Sequence, residues 1–198
     1  MNITPLFSQP LAVVTNKNHL LIEKNIITRC KKIKNKIKKG GHNWSSSPYN
    51  TCGTFNIHTD QSFDLITKWI YEQISYFANE IGFEKKKINC STSWFNFYNK
   101  YEHQEEHDHV EQGDDLIAVY FLKGLKNSGS LIFKPRLTNS LHTPFLDTNN
   151  IFTWGSYVID TQPGKLIMFK GDMRHLITQN NSNNSRISLA YNFKILQG

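Results

Sequence analysis

The chain has 198 residues, 38% hydrophobic and 13% aromatic, with a formal net charge of +7. That length suits one domain, and the apolar content supports a packed core, which argues against a disordered chain. No run approaches the roughly eighteen apolar residues of a membrane-spanning helix, and Met1–Ile3 lead into no signal-like segment, so a soluble cytoplasmic protein is expected.

The cysteines, Cys30, Cys52 and Cys90, show no C-x-x-C spacing. A disulfide framework or zinc ribbon is therefore not expected, and a reducing compartment fits. Six lysines fall within Lys31–Lys39. The plainer reading is a solvated helix end, where lysine complements the dipole. The other is a phosphate-contacting patch, although no aromatic stacking motif accompanies it.

In chain order, "ITPLFSQPLAVV" (residues 3–14) reads as an extended start. Asn18 is placed to cap a helix running to about Lys39, since Ile22, Ile26, Cys30, Ile33 and Ile37 recur on one face and Gly40-Gly41 ends it. "HNWSSSPYNTCGTF" reads as loop. A second helix is predicted over "QSFDLITKWIYEQISYFANEIG", with Phe63, Ile66, Ile70, Ile74, Phe77 and Ile81 on the core face and Gly82 as the stop.

After Lys87 the period changes to two. "CSTSWFNFYNK", "LIAVYFLKG", "SLIFKPR", "SYVID", "KLIMFKG" and "RISLAYNFKI" read as strands separated by Gly, Pro, Asn and Asp turns. Strands with no intervening helices point to a sandwich, jelly roll or barrel.

One stretch stands out, "EEHDHVEQGDD" at 105–115. On a strand, residues i, i+2 and i+4 share a face, so His107, His109 and Glu111 converge if the strand runs that far. His175 follows a later strand, Arg186 opens the last one, and Ser188 lies two positions on. Two ligands from one strand and a distant histidine make a three-ligand facial site, a set that suits Fe(II) and leaves positions open. An arginine nearby suits a carboxylate through its bidentate fork.

In this order the motifs resemble the 2-oxoglutarate/Fe(II)-dependent oxygenases, and within them a group found in marine bacteria and their phages. "ITPLFSQPL" is similar to that group's opening phrase, and "SWFNFYNKYEHQEEHDH" to its W-x-N … H-x-H stretch. "GSLIFKPR", "PGKLIMF…H" and "RISLAYNF" are similar to its later phrases. The resemblance implies a mainly β chain with N-terminal helices, a cupin-like jelly roll or double-stranded β-helix. It implies one domain over 1–198, with a helical part (1–87) packed on a jelly-roll core (88–198). Fe(II) and 2-oxoglutarate are the implied cofactors and O₂ the co-substrate. Decarboxylation to succinate and CO₂ would be coupled to hydroxylation of a substrate the sequence does not identify.

Carried over by position, His175 is the distal ligand, and Arg186, assisted by Ser188, pairs with the far carboxylate of 2-oxoglutarate. Counting forward from Trp94 puts the family's H-x-H on His107 and His109; counting back from "LIAVYFL" puts the pair on His109 and Glu111. His109 is common to both, and either His107 or Glu111 joins it. His103-Gln104-Glu105 fits neither register and reads as surface. Asn96 and Tyr120 are placed to point into the barrel, or else into the core. Two departures from the group bear on the pocket: Lys134 stands where an acid is usual, and Ile117-Ala118 replaces Ser-Gly. The rival readings are a cupin-like metalloprotein that does not use 2-oxoglutarate and a basic nucleic-acid-binding module. No membrane partner is expected, and the oligomeric state is left open between monomer and homodimer.

Overall fold

The structure, a computed structural model, describes residues 1–4, 8–40, 45–84, 86–136 and 155–196. Ten strands and two helices are assigned among them. The strands are β1 (Leu11–Thr15), β2 (Tyr49–Asn50), β3 (Lys87–Tyr98), β4 (Gln104–His107) and β5 (Leu116–Lys123), then β6 (Ser130–Phe133), β7 (Tyr157–Asp160), β8 (Lys165–Lys170), β9 (His175–Ile177) and β10 (Arg186–Leu196). The helices are α1 (His19–Lys34) and α2 (Asp64–Glu80).

Two antiparallel sheets result. One has six strands in the order β1-β8-β5-β10-β3-β2; the other has four, β4-β9-β6-β7. The pattern is that of a double-stranded β-helix, in which consecutive strands cross between two facing sheets.

Strand alternation divides the larger sheet into two faces. Leu116, Ala118, Tyr120 and Leu122 of β5 share one face with Ile187, Leu189, Tyr191 and Phe193 of β10. That face is covered by α1 through Ile26, Cys30 and Ile33, and by α2 through Ile66, Ile70, Ile74 and Phe77. Ile117, Val119 and Phe121 point the other way and meet Leu131, Phe133, Ile159 and Ile177 of the smaller sheet. Because β5 is buried on both faces, it reads as a continuous apolar run rather than an alternating one.

The structure departs from the sequence reading in three places. First, α1 ends at Lys34, well short of Lys39, and its last carbonyls are met by Asn35, Lys36 and Ile37 in a tight turn. Four like charges crowded beyond Ile33 around an asparagine give a helix nothing to gain there, whereas turning lets Ile37 fold back onto the core. Second, the N-terminal part is not purely helical: β1 pairs with β8 at one edge of the larger sheet, and β2 with β3 at the other. Third, β4 and β9 are too short to announce themselves by periodicity. Gly41 and part of the expected opening strand and first loop lie outside the described residues, as does the whole 137–154 stretch. The second helix is as expected, closed by Gly82 at φ +95°. The three cysteines are free, and no helix among the described residues is long and apolar enough to cross a membrane.

Candidate metal centre and co-substrate site

The strand expected to carry His107, His109 and Glu111 stops at His107. His107 sits directly opposite His175 across the β4–β9 pair. His109 comes in from the turn that follows, not from the strand. Its backbone N–H donates to the Gly171 carbonyl at 2.8 Å, and the Gly171 N–H donates to Asp115 at 2.8 Å. A Cβ on Gly171 would lie 1.9 Å from the Asp114 carbonyl oxygen, so only glycine permits this clasp.

The three imidazoles thereby converge, one donor atom from each lying within 4.8 Å of the others. The His107 and His175 rings are 4.2 Å apart between centroids. Glu111, the alternative fourth candidate, lies on the exposed turn outside this cluster, because the chain has already left extended geometry two residues earlier. His103-Gln104-Glu105 is also outside the cluster, but Gln104 borders the site: its Nε2 lies 3.3 Å from His107 Nε2.

Backbone acceptors orient two of the rings. His107 Nδ1 donates to the Glu105 carbonyl at 2.8 Å and His175 Nδ1 to the Met173 carbonyl at 2.9 Å. A carbonyl can only accept, so the ring proton sits on Nδ1 and Nε2 carries the lone pair, the tautomer that can ligate a metal. Burial holds the His175 pKa well below its ordinary value, and the neighbouring His107 and His109 add to this against the opposing Met173 hydrogen bond. The ring is therefore neutral at pH 7, the form that ligates. Behind His109, Asn192 Nδ2 lies 3.2 Å from Nδ1 and donates to Asp114 at 2.6 Å; Asp114 accepts in turn from Ser91 at 2.7 Å.

The inner face of β10 continues from Asn192 through Ala190 and Ser188 to Arg186. Arg186 is fully buried. Its Nη1 donates to the Ser128 carbonyl and, at 3.3 Å, to that of Thr178. Its guanidinium stacks 4.1 Å over the Tyr98 ring. Among the described residues, Nε and Nη2 have no hydrogen-bond partner and no carboxylate pairs with the charge. Burial pushes its pKa down to about 10. An unpaired buried cation is costly, and an anion placed beside this side chain would offset that cost. Tyr98 also reaches the other end of the site: its hydroxyl donates to Gln104 at 2.8 Å.

Asn96 lies on the same inner face as expected; its Nδ2 donates to Ser188 Oγ at 3.3 Å, and it accepts from Trp94 Nε1 at 3.2 Å. Tyr120 does not reach the site. It shares the helix-covered face with Ala118 and Leu122, and its hydroxyl bonds His19 Nδ1 at 2.8 Å. Of the two departures, Ile117 lines the interior beside the histidines and Ala118 faces the helices, while Lys134 is exposed and pairs with Glu106 at 3.2 Å. Gln104, Tyr98, Asn192 and Asp114 were missed from the sequence. Tyr98 was the most accessible of them, two positions beyond Asn96 on the same strand face.

Between the sheets, Ile117, Val119, Leu131 and Ile177 wall the histidines in. Outside, a cleft of about 560 Å³ opens over them, rimmed by Trp94, Gln104, Asp108, Glu111, Arg174 and Lys194.

A double-stranded β-helix with three inward histidines and a buried arginine defines the class of non-haem metal oxygenase folds. The family described as "Putative 2OG-Fe(II) oxygenase" matches residues 92–192, just over half the chain, and the protein belongs to that family. Its cofactors are accordingly Fe(II) and 2-oxoglutarate, and both fit the residues present: imidazole nitrogens for the metal and a counter-charge-seeking guanidinium for a dicarboxylate. No curated protein matches the chain.

Among solved structures, a prolyl-4-hydroxylase from Pseudomonas putida is 13% identical, with a TM-score of 0.65 over 97% of this chain and 96% of that one. A Trichoplax adhaerens prolyl hydroxylase, solved with a peptide fragment of the hypoxia-inducible-factor oxygen degradation domain, is 10% identical, with a TM-score of 0.67 over 92% and 82%. The carbocyclase SnoK from nogalamycin biosynthesis is 12% identical, with a TM-score of 0.62 over 93% and 79%. At these identities the likeness is one of fold.

Proposed function

We propose that His107, His109 and His175 hold the Fe(II), that Arg186 with Ser188 beside it binds the far carboxylate of 2-oxoglutarate, and that the enzyme is a cytoplasmic hydroxylase working as one unit over 1–198. The supporting observation is the pairing of three converging imidazoles with a buried guanidinium that has two unmet N–H groups on the same side of the sandwich.

When bound, the metal and 2-oxoglutarate supply the oxidising chemistry: 2-oxoglutarate loses CO₂ to become succinate, taking one atom of O₂ while the other goes to substrate. The chain's own groups prepare that step. The Glu105 and Met173 carbonyls hold the His107 and His175 protons on Nδ1. The Arg186 Nε and Nη2 present a fork to a carboxylate, and the Tyr98 ring beneath supports the guanidinium by a cation–π contact. The aliphatic wall of Ile117, Val119, Leu131 and Ile177 excludes water, which strengthens each of these interactions. Substrate enters by the cleft over the histidines.

The test is Arg186→Met. It removes the anion partner and also a buried unpaired charge, so the fold should be no less stable. Calorimetry with Mn(II)-loaded protein should show 2-oxoglutarate binding weakened by at least about tenfold, in keeping with a lost charge-assisted pair. Unchanged affinity removes Arg186 from the role. Succinate release that depends on added 2-oxoglutarate separates this reading from a cupin-like metalloprotein.

A further inference from the structure

Lys17–Lys39 carries nine of the chain's 23 Lys and Arg and only one of its 16 Asp and Glu. Its charge of +8 exceeds the +7 of the whole protein, so everything else sums to −1. The basicity is thus local to α1 and the turn after it. Of those nine cations, only Arg29 is paired with a carboxylate among the described residues, with Asp60 at 2.5 Å. Lys24, Lys31, Lys32, Lys36 and Lys38 are exposed. The first three share one side of the helix with the exposed Asn25 and Asn35, since Ile26, Cys30 and Ile33 occupy the other. The helical part of this stripe, from Lys24 to the helix end at Lys34, is about 16 Å long at about 1.5 Å per residue.

We infer that the outward face of α1 and the following turn is a binding surface for the sugar-phosphate backbone of a nucleic acid. The dipole argument accounts for two or three lysines in a last turn, not for lysines carried on past the end of the helix. A helix made to lie on a membrane keeps its apolar face free to enter the bilayer, whereas that of α1 is spent on the core. Leu20 and Leu21 are exposed, but they lie a turn before the lysine stripe begins. Unpaired lysines interleaved with neutral amides are what a phosphate backbone needs: point charges and hydrogen-bonding groups with no competing acid.

The surface also leads to the site. Lys39 bonds Ser47, Ser45 N–H donates to Glu105 at 2.9 Å and His103 N–H donates to Ser46 at 3.0 Å, which places the segment after the lysines against the strand that carries His107. The basic surface thus ends beside a segment that abuts the strand carrying His107. The inference is independent of the oxygenase chemistry, because phosphate contacts need neither metal nor co-substrate.

The test is fluorescence anisotropy of a short labelled single-stranded oligonucleotide with the full-length, metal-free protein, titrated at several salt concentrations. K31Q/K32Q/K36Q/K38Q keeps helix propensity while removing four charges. K86Q/K87Q/K100Q/K126Q removes four exposed charges elsewhere and serves as the control. Binding should be salt-dependent. The first variant should lose at least about tenfold in affinity and about three from the slope of log affinity against log salt, at about 0.7 per lost phosphate contact. The control should lose little, and both should melt like the wild type. No binding at low salt, or an equal loss in the control, overturns the inference. So does binding to phosphatidylserine vesicles that matches or exceeds that to the oligonucleotide.

Discussion

The two faces of β10 make opposite uses of one strand. Ile187, Leu189, Tyr191 and Phe193 point to the helices and are large, apolar and fully enclosed. Arg186, Ser188, Ala190 and Asn192 point between the sheets, equally buried yet small or polar. Burial alone therefore does not separate core from site in this protein. On β10 the two faces differ in whether the buried polar group is satisfied by its neighbours: Tyr191 finds Thr67 at 3.0 Å, whereas Arg186 Nε and Nη2 and Asn192 Oδ1 have no partner among the described residues. The helix-covered face holds the fold together, and the inner face carries the polar groups of the candidate site.

Substitutions can break that division. The largest effect is expected from His175→Ala, which takes one imidazole out of three: calorimetric uptake of Fe(II) or Mn(II) should vanish while the protein still melts cooperatively. Retained uptake at wild-type affinity would remove His175 from the metal set. On the other face, Leu189→Ala should cost about 3 kcal/mol of stability through the cavity it leaves, read by urea denaturation, with metal affinity unchanged. If metal affinity fell in parallel, the two faces would be coupled rather than divided.

Gly129 offers a finer probe. It holds φ +92°, and a Cβ there would lie 2.5 Å from Arg186 Nη1 and 2.6 Å from the Thr178 carbonyl. Gly129→Ala should displace the guanidinium and weaken 2-oxoglutarate binding about tenfold, for a strain of about 1–3 kcal/mol, while leaving metal uptake intact. Equal loss of both ligands would mean general distortion.

The smallest effect is a pH dependence from the helix side. Burial lowers the pKa of His19, with Glu23 opposing. The unfolded chain then takes up the proton more readily, so the stability present above the unfolded value of about 6.5 is lost as pH falls below it. His19→Gln should flatten the fall in melting temperature between about pH 7.5 and about pH 5.5 relative to wild type. It should not abolish the fall, since burial lowers His58 and His175 in the same direction. An unchanged slope would show that His19 contributes nothing to it.

Much of this was legible from residues alone, where a long period speaks for itself. The spacing of Ile66, Ile70, Ile74 and Phe77 and the stop at Gly82 were enough for α2, and the apolar run from Leu116 for β5. Short elements were not legible. β9 is three residues long and β4 four, so neither completes a pattern, and without β4 the stretch from His107 to Glu111 was drawn as one continuing strand. Tyr120 stayed open between barrel and core for a related reason: in a strand apolar on both faces, nothing local says which parity faces the helices.

The sequence by itself determined the chemical inventory: the histidines at 107, 109 and 175, the arginine at 186, two amphipathic helices ahead of a β half, and a positive charge confined to one segment. These follow from residue type and spacing, which no folding alters. Only the tertiary structure decided between His107 and Glu111 as the neighbour that joins His109 in the cluster, because that choice depends on where β4 stops and on how closely Gly171 lets the next turn approach. It alone left Arg186 with two N–H groups unmet among the described residues. A counter-charge is supplied or withheld by residues far apart in the chain, and only packing brings them to one place or keeps them from it.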